Sequence, residues 1–372
     1  MTHYLYLDDA DPKDIKTFAD ALMEAAAARG LSLAIDIVPP PRDLRVDDLI
    51  NRHAPNGVLV DVELDKATDD SDRPYPVTGT ALAQNIRDHQ NAGKLPEIPL
   101  VRLSQADVVR RYVGKDHSSL DLFDDYIDKA LIKAKAAFFA ETLVALSFGY
   151  QKLTDLAPIS IGSFSGVLSI PERVIQNLHP ALVLRLRALE QAPVHDIARF
   201  LLKSLLERDG PLIGEPTLAA RLGVDRSQSE MGWPKVLAAI DSTRYRGVFS
   251  KDTEPRWWAD QVIEWWGKTM EGSGALIDLS SEEKCLLLRK HIDVEELAPI
   301  SADEASPGVN FWSVCIESGR PLDPMNAYAV TPDAAQREWH DIQFMCREEA
   351  FHRARDPRFD PSERDRILAD RA

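Results

Sequence analysis

A short apolar run that ends in an aspartate, GVLVDVELD at residues 57–65, is the feature that most constrains the fold. Val58, Leu59 and Val60 form a continuous apolar run, which is typical of a strand buried on both faces in a parallel sheet. Asp61 would then lie where the strand leaves the sheet, and open α/β sheets bind ligands at the carboxyl ends of their strands. Asp61 is therefore a candidate nucleophile or metal ligand. The alternative is an ordinary turn aspartate that caps the next element.

Apolar runs and helical patterns alternate on both sides of this stretch. Strands are predicted at residues 4–7, 31–38, 57–64, 98–103 and 126–127, and helices at residues 11–30, 46–53, 80–89 and 107–113. Strands that alternate with helices imply right-handed crossovers and a parallel sheet. The predicted fold class is α/β, with a doubly wound five-stranded parallel sheet.

Polar side chains follow four of these strands. Asp8 and Asp9 come after the first strand, Asp61 after the third, Ser104 after the fourth and Lys129 after the fifth. All of these strand ends are expected at one edge of the sheet, because the strands are parallel.

Residues 3 to about 135 resemble the receiver domain of bacterial two-component response regulators. The acid pair, the acceptor aspartate, the hydroxyl and the lysine occur in the family's order. The segments GTALAQNIRD, IPLVRLS and FDDYIDK are similar to the corresponding receiver segments. Tyr126, three residues before Lys129, falls where the family has a switch aromatic. The resemblance implies a flavodoxin-like receiver fold.

The resemblance also implies a chemistry. Asp61 would attack the phosphorus of a phosphohistidine on a partner histidine kinase and form an acyl phosphate. Three carboxylates at one edge repel each other unless a cation lies among them, and oxygen ligands suit Mg²⁺. The implied ligands are Asp8, Asp9, Asp61 and the backbone carbonyl of Glu63. Lys129 would supply positive charge, and Ser104 would donate a hydrogen bond to the phosphoryl group. The alternative is a receiver that keeps the fold without accepting phosphate.

The sequence departs from the family pattern at several positions near this site. Ala130 replaces the usual proline after the lysine, Gln105 replaces a small residue, and Asp65 stands where a proline is common. The acidic segment at residues 65–78 is longer than the usual loop. These departures concern the way such a domain switches, and every residue of the acceptor site is present.

Residues 136–372 are predicted to form a mainly α-helical output or interaction region, with room for two subdomains. A long helix is predicted at residues 130–153 and a loop or short hairpin at 162–171. Further helices are predicted at residues 175–190, 194–207, 217–222, 234–239, 255–270, 281–291 and 333–353. The segment TLAARLGVDRSQ resembles the start of a helix-turn-helix, but no basic second helix follows it, so an ordinary packed helix with a glycine C-cap is favoured. RWWADQVIEWW places Trp258, Val262 and Trp265 on one predicted face. That face is interpreted as core, with an interface anchor as the alternative.

Charge and cysteine content limit the function classes. A net charge of −16 and a pI of about 5.0 argue against a nucleic-acid coating protein. Three widely spaced cysteines, an acidic start without a basic signal segment, and no long apolar run favour a cytoplasmic protein without a membrane span. Cys346 is interpreted as a buried thiol.

The leading hypothesis is a response regulator that accepts phosphate on Asp61 and signals through protein contacts of residues 136–372. The expected partners are a histidine kinase and a protein effector, with a homodimer through the receiver as a further expectation, and DNA is not expected. No enzymatic activity is expected beyond the receiver's own phosphorylation and dephosphorylation. The alternatives are a phosphorylation-dependent transcriptional regulator and a phosphate sink that competes with another regulator for the same kinase.

Overall fold

The computed structural model describes residues 1–41, 45–64, 78–105 and 121–371. A five-stranded sheet occupies the N-terminal part of the chain. Its strands are β1 (Thr2–Leu7), β2 (Leu33–Val38), β3 (Gly57–Val60), β4 (Leu100–Ser104) and β5 (Asp125–Asp128). The strand order is β2-β1-β3-β4-β5, and every neighbouring pair is parallel. The predicted fold class is confirmed.

Among the described residues, four helices flank this sheet: α1 (Pro12–Ala28), α2 (Val46–His53), α3 (Gly79–Asn91) and α4 (Ile132–Leu156). Side chains alternate between the faces of a strand, and β1 shows this clearly. Leu5 and Leu7 join the apolar cluster formed with α2 and α3. The Tyr4 hydroxyl points to the other face and donates a hydrogen bond of 2.8 Å to the carbonyl of Leu143 in α4. Helices therefore cover both faces, which is why β3 can be apolar throughout.

The remaining chain is mainly helical, as predicted. Its helices are α5 (Phe164–Leu168), α6 (Glu172–Gln176), α7 (Pro180–Ala188), α8 (Val194–Leu201), α9 (Glu215–Leu222), α10 (Trp233–Ala239), α11 (Ala259–Thr269), α12 (Ser281–Ile292), α13 (Arg347–His352) and α14 (Pro361–Arg371). Short antiparallel pairs join β6 (Leu212–Gly214) to β7 (Arg256–Trp258), β8 (Ser313–Val314) to β9 (Pro321–Leu322), and β10 (Tyr328–Ala329) to β11 (Phe344–Met345).

The chain divides into two compact units. The first contains Met1–Gln176, Leu184–Leu202 and Gly247–Thr253, and the second contains Asn177–Val183, Lys203–Arg246 and Glu254–Ala372. The first unit thus includes the sheet and the whole of α4. The predicted division between residues 135 and 136 stays a prediction.

Three local predictions in the C-terminal region are wrong. Residues 162–171 contain helix α5, whose Phe164, Val167 and Leu168 are buried at helical spacing. The predicted helix at 175–190 is interrupted between α6 and α7. The predicted helix at 333–353 is confined to α13. Before α13, the Asp333 carboxylate accepts hydrogen bonds from backbone amides in a turn, and residues 344–345 pair as strand β11.

The tryptophans at residues 257–266 are core residues, although not on the predicted face. Trp257 and Trp258 lie in strand β7, and helix α11 begins only at Ala259. Within α11, Val262 and Trp266 point inward at a spacing of four residues, while Trp265 packs partly buried against the same cluster. The interpretation as core is confirmed, and these rings are engaged inside their own unit.

The helix-turn-helix-like segment packs as an ordinary helix. Helix α9 ends at Gly223, whose φ of +70° is the left-handed conformation of a glycine C-cap. The Arg221 side chain is buried and forms an ion pair of 2.5 Å with Asp341. Arg226 forms an ion pair of 3.0 Å with Glu215. Both arginines are thus committed to contacts within the protein.

The predicted helix at residues 107–113 and the acidic segment at 65–77 lie outside the described residues. Within the described part of the chain, no helix combines the length and the apolar character that crossing a membrane requires.

Candidate functional site

The carboxyl edge of the sheet brings four predicted site residues together. Asp8 follows β1, Asp61 follows β3, Ser104 is the last residue of β4, and Lys129 opens a short 3₁₀ turn directly after β5. The four come from segments up to 121 residues apart, and the parallel order of the strands places them at one edge.

Lys129 is the centre of this cluster. Its ammonium nitrogen lies 2.8 Å from Asp8 Oδ2 and 2.5 Å from Asp61 Oδ2. The Ser104 hydroxyl donates a hydrogen bond of 2.9 Å to Asp61 Oδ1 and accepts one of 3.2 Å from the backbone amide of Val62. Asp8 and Asp61 are 3% and 7% exposed, so two carboxylates share one ammonium in a largely dry place.

The two carboxylates respond to this environment in opposite ways. Burial raises the pKa of Asp61; Lys129 opposes the rise, and the negative charge of Asp8 adds to it, so the net pKa is above its usual value. Burial also acts to raise the pKa of Asp8. There the charge and hydrogen bond of Lys129, together with hydrogen bonds from Tyr6 and the amide of Ala10, prevail and lower it. Asp61 is therefore the more basic carboxylate of the pair.

The pKa of Lys129 is raised. Burial alone would lower it, but the charges of Asp61 and Asp8 and their hydrogen bonds outweigh burial. Lys129 is thus an ammonium at neutral pH. With both carboxylates ionised, the cluster of two carboxylates and one ammonium carries an excess of one negative charge.

Two aromatic residues that the sequence analysis did not single out support the cluster. The Tyr6 hydroxyl donates a hydrogen bond of 2.5 Å to Asp8 Oδ2. The ammonium of Lys129 lies 5.9 Å from the ring centroids of Tyr6 and of Phe18 in α1. A ring face attracts a cation at this range. The signal in the sequence was the inward alternation of β1, which places Tyr6 two residues before Asp8.

Gly79 is a further residue of the site that sequence reasoning missed. A Cβ at this position would lie 1.9 Å from the carbonyl oxygen of Asp61, closer than any side chain allows. The Gly79 amide donates a hydrogen bond of 3.1 Å to the carbonyl of Val62. The start of α3 therefore packs directly on the backbone of the acceptor segment, and glycine makes that approach possible.

Ala130, which stands where the family has proline, has a local role in this chain. Its backbone amide donates a hydrogen bond of 2.9 Å to the Asp128 carboxylate, which caps the turn that begins with Lys129. Proline has no amide hydrogen and could not make this bond. The Asp128 cap thus holds the turn that carries Lys129.

Tyr126 is placed apart from the cluster. Its side chain is 54% exposed, and the guanidinium of Arg102 lies 4.8 Å from its ring centroid. The two residues are paired in register across β4 and β5, two positions before Ser104 on β4. The aromatic ring faces outward in this conformation.

The donor set suits a magnesium ion in part. The carboxylates of Asp8 and Asp61 converge, and oxygen ligands are the ones that Mg²⁺ prefers. Asp9 follows Asp8 in the sequence, and Glu63 lies two residues after Asp61. Both are half-buried, and each makes an interaction of its own. Among the described residues, however, no three His, Cys, Asp or Glu side chains are grouped so as to hold a metal ion. The structure brings Asp8, Asp61, Ser104 and Lys129 together and does not add Asp9 as a third carboxylate of that group.

The arrangement has a definite chemical capacity. Asp61 presents a carboxylate oxygen of raised basicity. Its two side-chain donors, Lys129 and Ser104, can each donate instead to an oxygen of a group that becomes bonded to Asp61. This is what a carboxylate nucleophile needs in order to accept an electrophilic phosphorus.

No protein-family model matches the sequence, and no curated protein matches it either.

Proposed function

We propose that this protein is a response regulator whose Asp61 accepts a phosphoryl group from a histidine kinase. The observation that carries the proposal is the Lys129 bridge between Asp8 and Asp61, with Ser104 on the second oxygen of Asp61. The five-stranded parallel sheet is compatible with a receiver fold, which supports the resemblance seen in the sequence.

The transfer would proceed at Asp61. One carboxylate oxygen attacks the phosphorus of the donor, the bond from phosphorus to the imidazole nitrogen breaks, and an acyl phosphate forms. Oδ2 is held by Lys129 and Oδ1 by Ser104, so one of these contacts must loosen before attack. The released ammonium or hydroxyl then donates to an oxygen of the bound phosphoryl group.

The charge balance explains why a divalent cation is proposed. Lys129 already serves two carboxylates, and a phosphoryl group adds further negative charge. A Mg²⁺ ion held by Asp8 and Asp61, with Asp9 and the carbonyl of Glu63 as the further ligands implied by resemblance, would supply the missing positive charge. The protein's own residues orient the acceptor oxygen and receive the phosphoryl oxygens.

Signalling is proposed to run through protein contacts of residues 136–372. The two arginines of the helix-turn-helix-like segment are held in ion pairs, Arg221 in a buried one, which argues against the DNA-binding alternative. Trp257 and Trp266 belong to the unit's own core and Trp265 packs partly buried against it, so these rings are not proposed as the contact surface.

The test is phosphorylation with a small acyl phosphate donor and Mg²⁺, followed by intact mass. The wild-type protein is expected to gain one phosphoryl group, Asp61→Asn none, and the matched control Asp128→Asn as much as the wild type. Asp128 is chosen because it is an aspartate at the same edge that caps a turn, and asparagine can also cap. A phosphoryl gain by Asp61→Asn equal to that of the wild type contradicts the proposal.

A further inference from the structure

Two cysteines that lie far apart in the sequence are neighbours in the second unit. Cys315 follows strand β8, and Cys346 lies between strand β11 and helix α13, 31 positions further on. A β-bridge pairs Cys315 with Phe344, two residues before Cys346. The backbone amide of Cys346 donates a hydrogen bond of 3.3 Å to the sulfur of Cys315. The two thiols are thus held side by side by main-chain pairing.

The two sulfurs are not equivalent. A hydrogen bond from the Cys346 thiol lowers the pKa of Cys315; burial opposes it, and the amide of Cys346 and the groups of Ser318 add to the lowering. The same thiol–thiol hydrogen bond raises the pKa of Cys346, and burial adds to the rise. Cys315 is therefore the sulfur that carries thiolate character, while Cys346 retains its proton.

The third cysteine of the chain provides the contrast. Cys285 belongs to a different apolar cluster, where its thiol donates a hydrogen bond of 3.4 Å to the carbonyl of Gly223. Burial raises the pKa of Cys285 to about 11. It is buried to the same extent as the other two, at 1% exposure, and differs from Cys315 in that burial outweighs the opposing charges of Arg289 and Lys284. Reactivity of a thiol follows its thiolate fraction, so Cys285 is the inert reference.

A zinc site does not account for the pair. Structural zinc takes four ligands, mostly Cys and His. Across residues 1–41, 45–64, 78–105 and 121–371, no group of three such side chains exists, so Cys315 and Cys346 lack the further ligands. The neighbouring polar group is the Ser318 hydroxyl, 3.8 Å from the sulfur of Cys346.

We propose that Cys315 and Cys346 form a peroxide-reactive dithiol, in which Cys315 is the attacking sulfur and Cys346 the resolving one. The Cys315 thiolate attacks one oxygen of hydrogen peroxide, the O–O bond breaks, and hydroxide leaves and takes up a proton to become water. Cys315 is then a sulfenic acid. The Cys346 sulfur attacks it, loses its proton, and expels the second oxygen as water. Two thiols have lost two electrons and formed a disulfide, and the peroxide has been reduced to two waters.

A small oxidant fits the burial of the pair. Each sulfur-bearing residue is 1% exposed, so a bulky disulfide donor would meet more resistance than peroxide. The resulting bond would link the β8–β9 hairpin to the segment that enters α13, across the apolar cluster of Leu322, Tyr328 and Met345.

The experiment treats the full-length protein with hydrogen peroxide, blocks the remaining thiols under denaturing conditions, and maps the cysteine peptides by mass. The wild-type protein is expected to yield a Cys315–Cys346 disulfide while Cys285 stays a free thiol. Loss of the Cys315 thiol should be on the order of tenfold faster than loss of Cys285. Cys285→Ser is the matched control and is expected to form the same disulfide at the same rate.

A second variant tests the order of events. In Cys346→Ala the resolving sulfur is absent, so a dimedone probe is expected to trap a sulfenic acid on Cys315, and the wild-type protein should be labelled far less. Two results overturn the proposal. One is a wild-type protein in which Cys315 and Cys346 remain thiols, or oxidise no faster than Cys285. The other is dimedone labelling on Cys285 in place of Cys315.

Discussion

Two buried clusters of charged side chains lie at opposite ends of the strands of one sheet. They contain similar chemical groups but differ in their charge balance. At the carboxyl edge, Lys129 serves two carboxylates, Asp8 and Asp61. At the amino edge, Asp124 precedes β5 and forms an ion pair of 2.8 Å with Arg87 of α3. In that second cluster one carboxylate meets one guanidinium.

The amino-edge cluster is also fully bonded. Asp124 accepts hydrogen bonds of 2.6 Å from the Tyr150 hydroxyl and 2.8 Å from the amide of Leu100, in addition to the one from Arg87. Arg87 donates further to Gln90 and to backbone carbonyls. A buried pair with balanced charge and complete hydrogen bonding is a structural device. Burial of charge alone therefore does not mark a reactive site, whereas an unbalanced buried charge with a displaceable partner does.

Breaking the balanced cluster is expected to have the largest effect on stability. Arg87→Leu leaves the Asp124 carboxylate buried without a cation and should lower the free energy of unfolding by about 3–5 kcal/mol. Denaturation by urea measures it. The matched control is Lys16→Ala, which breaks the exposed ion pair with Asp20 and should cost no more than about 0.5 kcal/mol. Equal losses in the two variants would refute the structural role of Arg87.

Removing the cation of the unbalanced cluster is expected to cost less. Lys129→Met leaves two buried carboxylates, but Asp61, whose pKa is already raised, can take up a proton and relieve the repulsion. The expected loss is about 1–3 kcal/mol near pH 8, and a smaller one near pH 5, where protonation is easier. A loss that does not change between these two pH values would contradict the assigned charge excess.

Magnesium is expected to stabilise the unbalanced cluster by mass action. At a Mg²⁺ concentration ten times the dissociation constant, the gain is about 1.4 kcal/mol, visible as a rise in the melting temperature. Asp61→Asn should abolish most of that rise, while Asp128→Asn should retain it. If magnesium raises the melting temperature of Asp61→Asn as much as that of the wild type, the ion binds elsewhere.

Among the variants that change the two charge clusters, Asp61→Asn is expected to have the smallest effect on stability, and its sign is opposite to that of Arg87→Leu and Lys129→Met. This change converts two carboxylates and one ammonium into a balanced pair, so the free energy of unfolding at neutral pH should rise by about 1 kcal/mol. Because the pKa of Asp61 is raised in the folded state, its own contribution is fully present below the ordinary carboxyl pKa and is lost as pH rises through the folded value. The advantage of the variant should therefore shrink in acid.

Asp8 is expected to show the opposite dependence of stability on pH. Its pKa is lowered in the folded state, so its contribution is present above the ordinary carboxyl pKa and is lost as pH falls through the folded value. Asp8→Asn should therefore flatten the acid limb of the stability curve, whereas Asp61→Asn should steepen it. Thermal unfolding between about pH 3 and pH 8 distinguishes the two, and parallel curves for both variants would show that the opposite pKa directions are wrong.

The sheet and its carboxyl edge were predictable because both depend on local patterns. Apolar runs such as Val58 to Val60 end in a polar residue, and the parallel topology carries those ends to one edge. Lys129 could be named for this reason, although its contact with Asp8 joins residues 121 positions apart.

The other features depend on tertiary contacts that no local pattern contains. Arg87 and Asp124 are 37 positions apart, Cys315 and Cys346 are 31 apart, and nothing near either residue in the sequence indicates its partner. The helix predicted at residues 333–353 failed for a related reason. The ring nitrogens of Trp339 and His340 donate hydrogen bonds to the distant carbonyl of Ser204, and these contacts override helix propensity.

The most direct test of the central claim is to locate the phosphoryl group itself. The wild-type protein is treated with an acyl phosphate donor and Mg²⁺, the acyl phosphate is reduced with borohydride, and the modified residue is mapped by peptide mass. The account predicts that position 61 is converted to homoserine and that Asp8, Asp9 and Asp124 stay unmodified. Reduction at any of those aspartates in place of Asp61, or no reduced residue in protein that has gained phosphate, would contradict it.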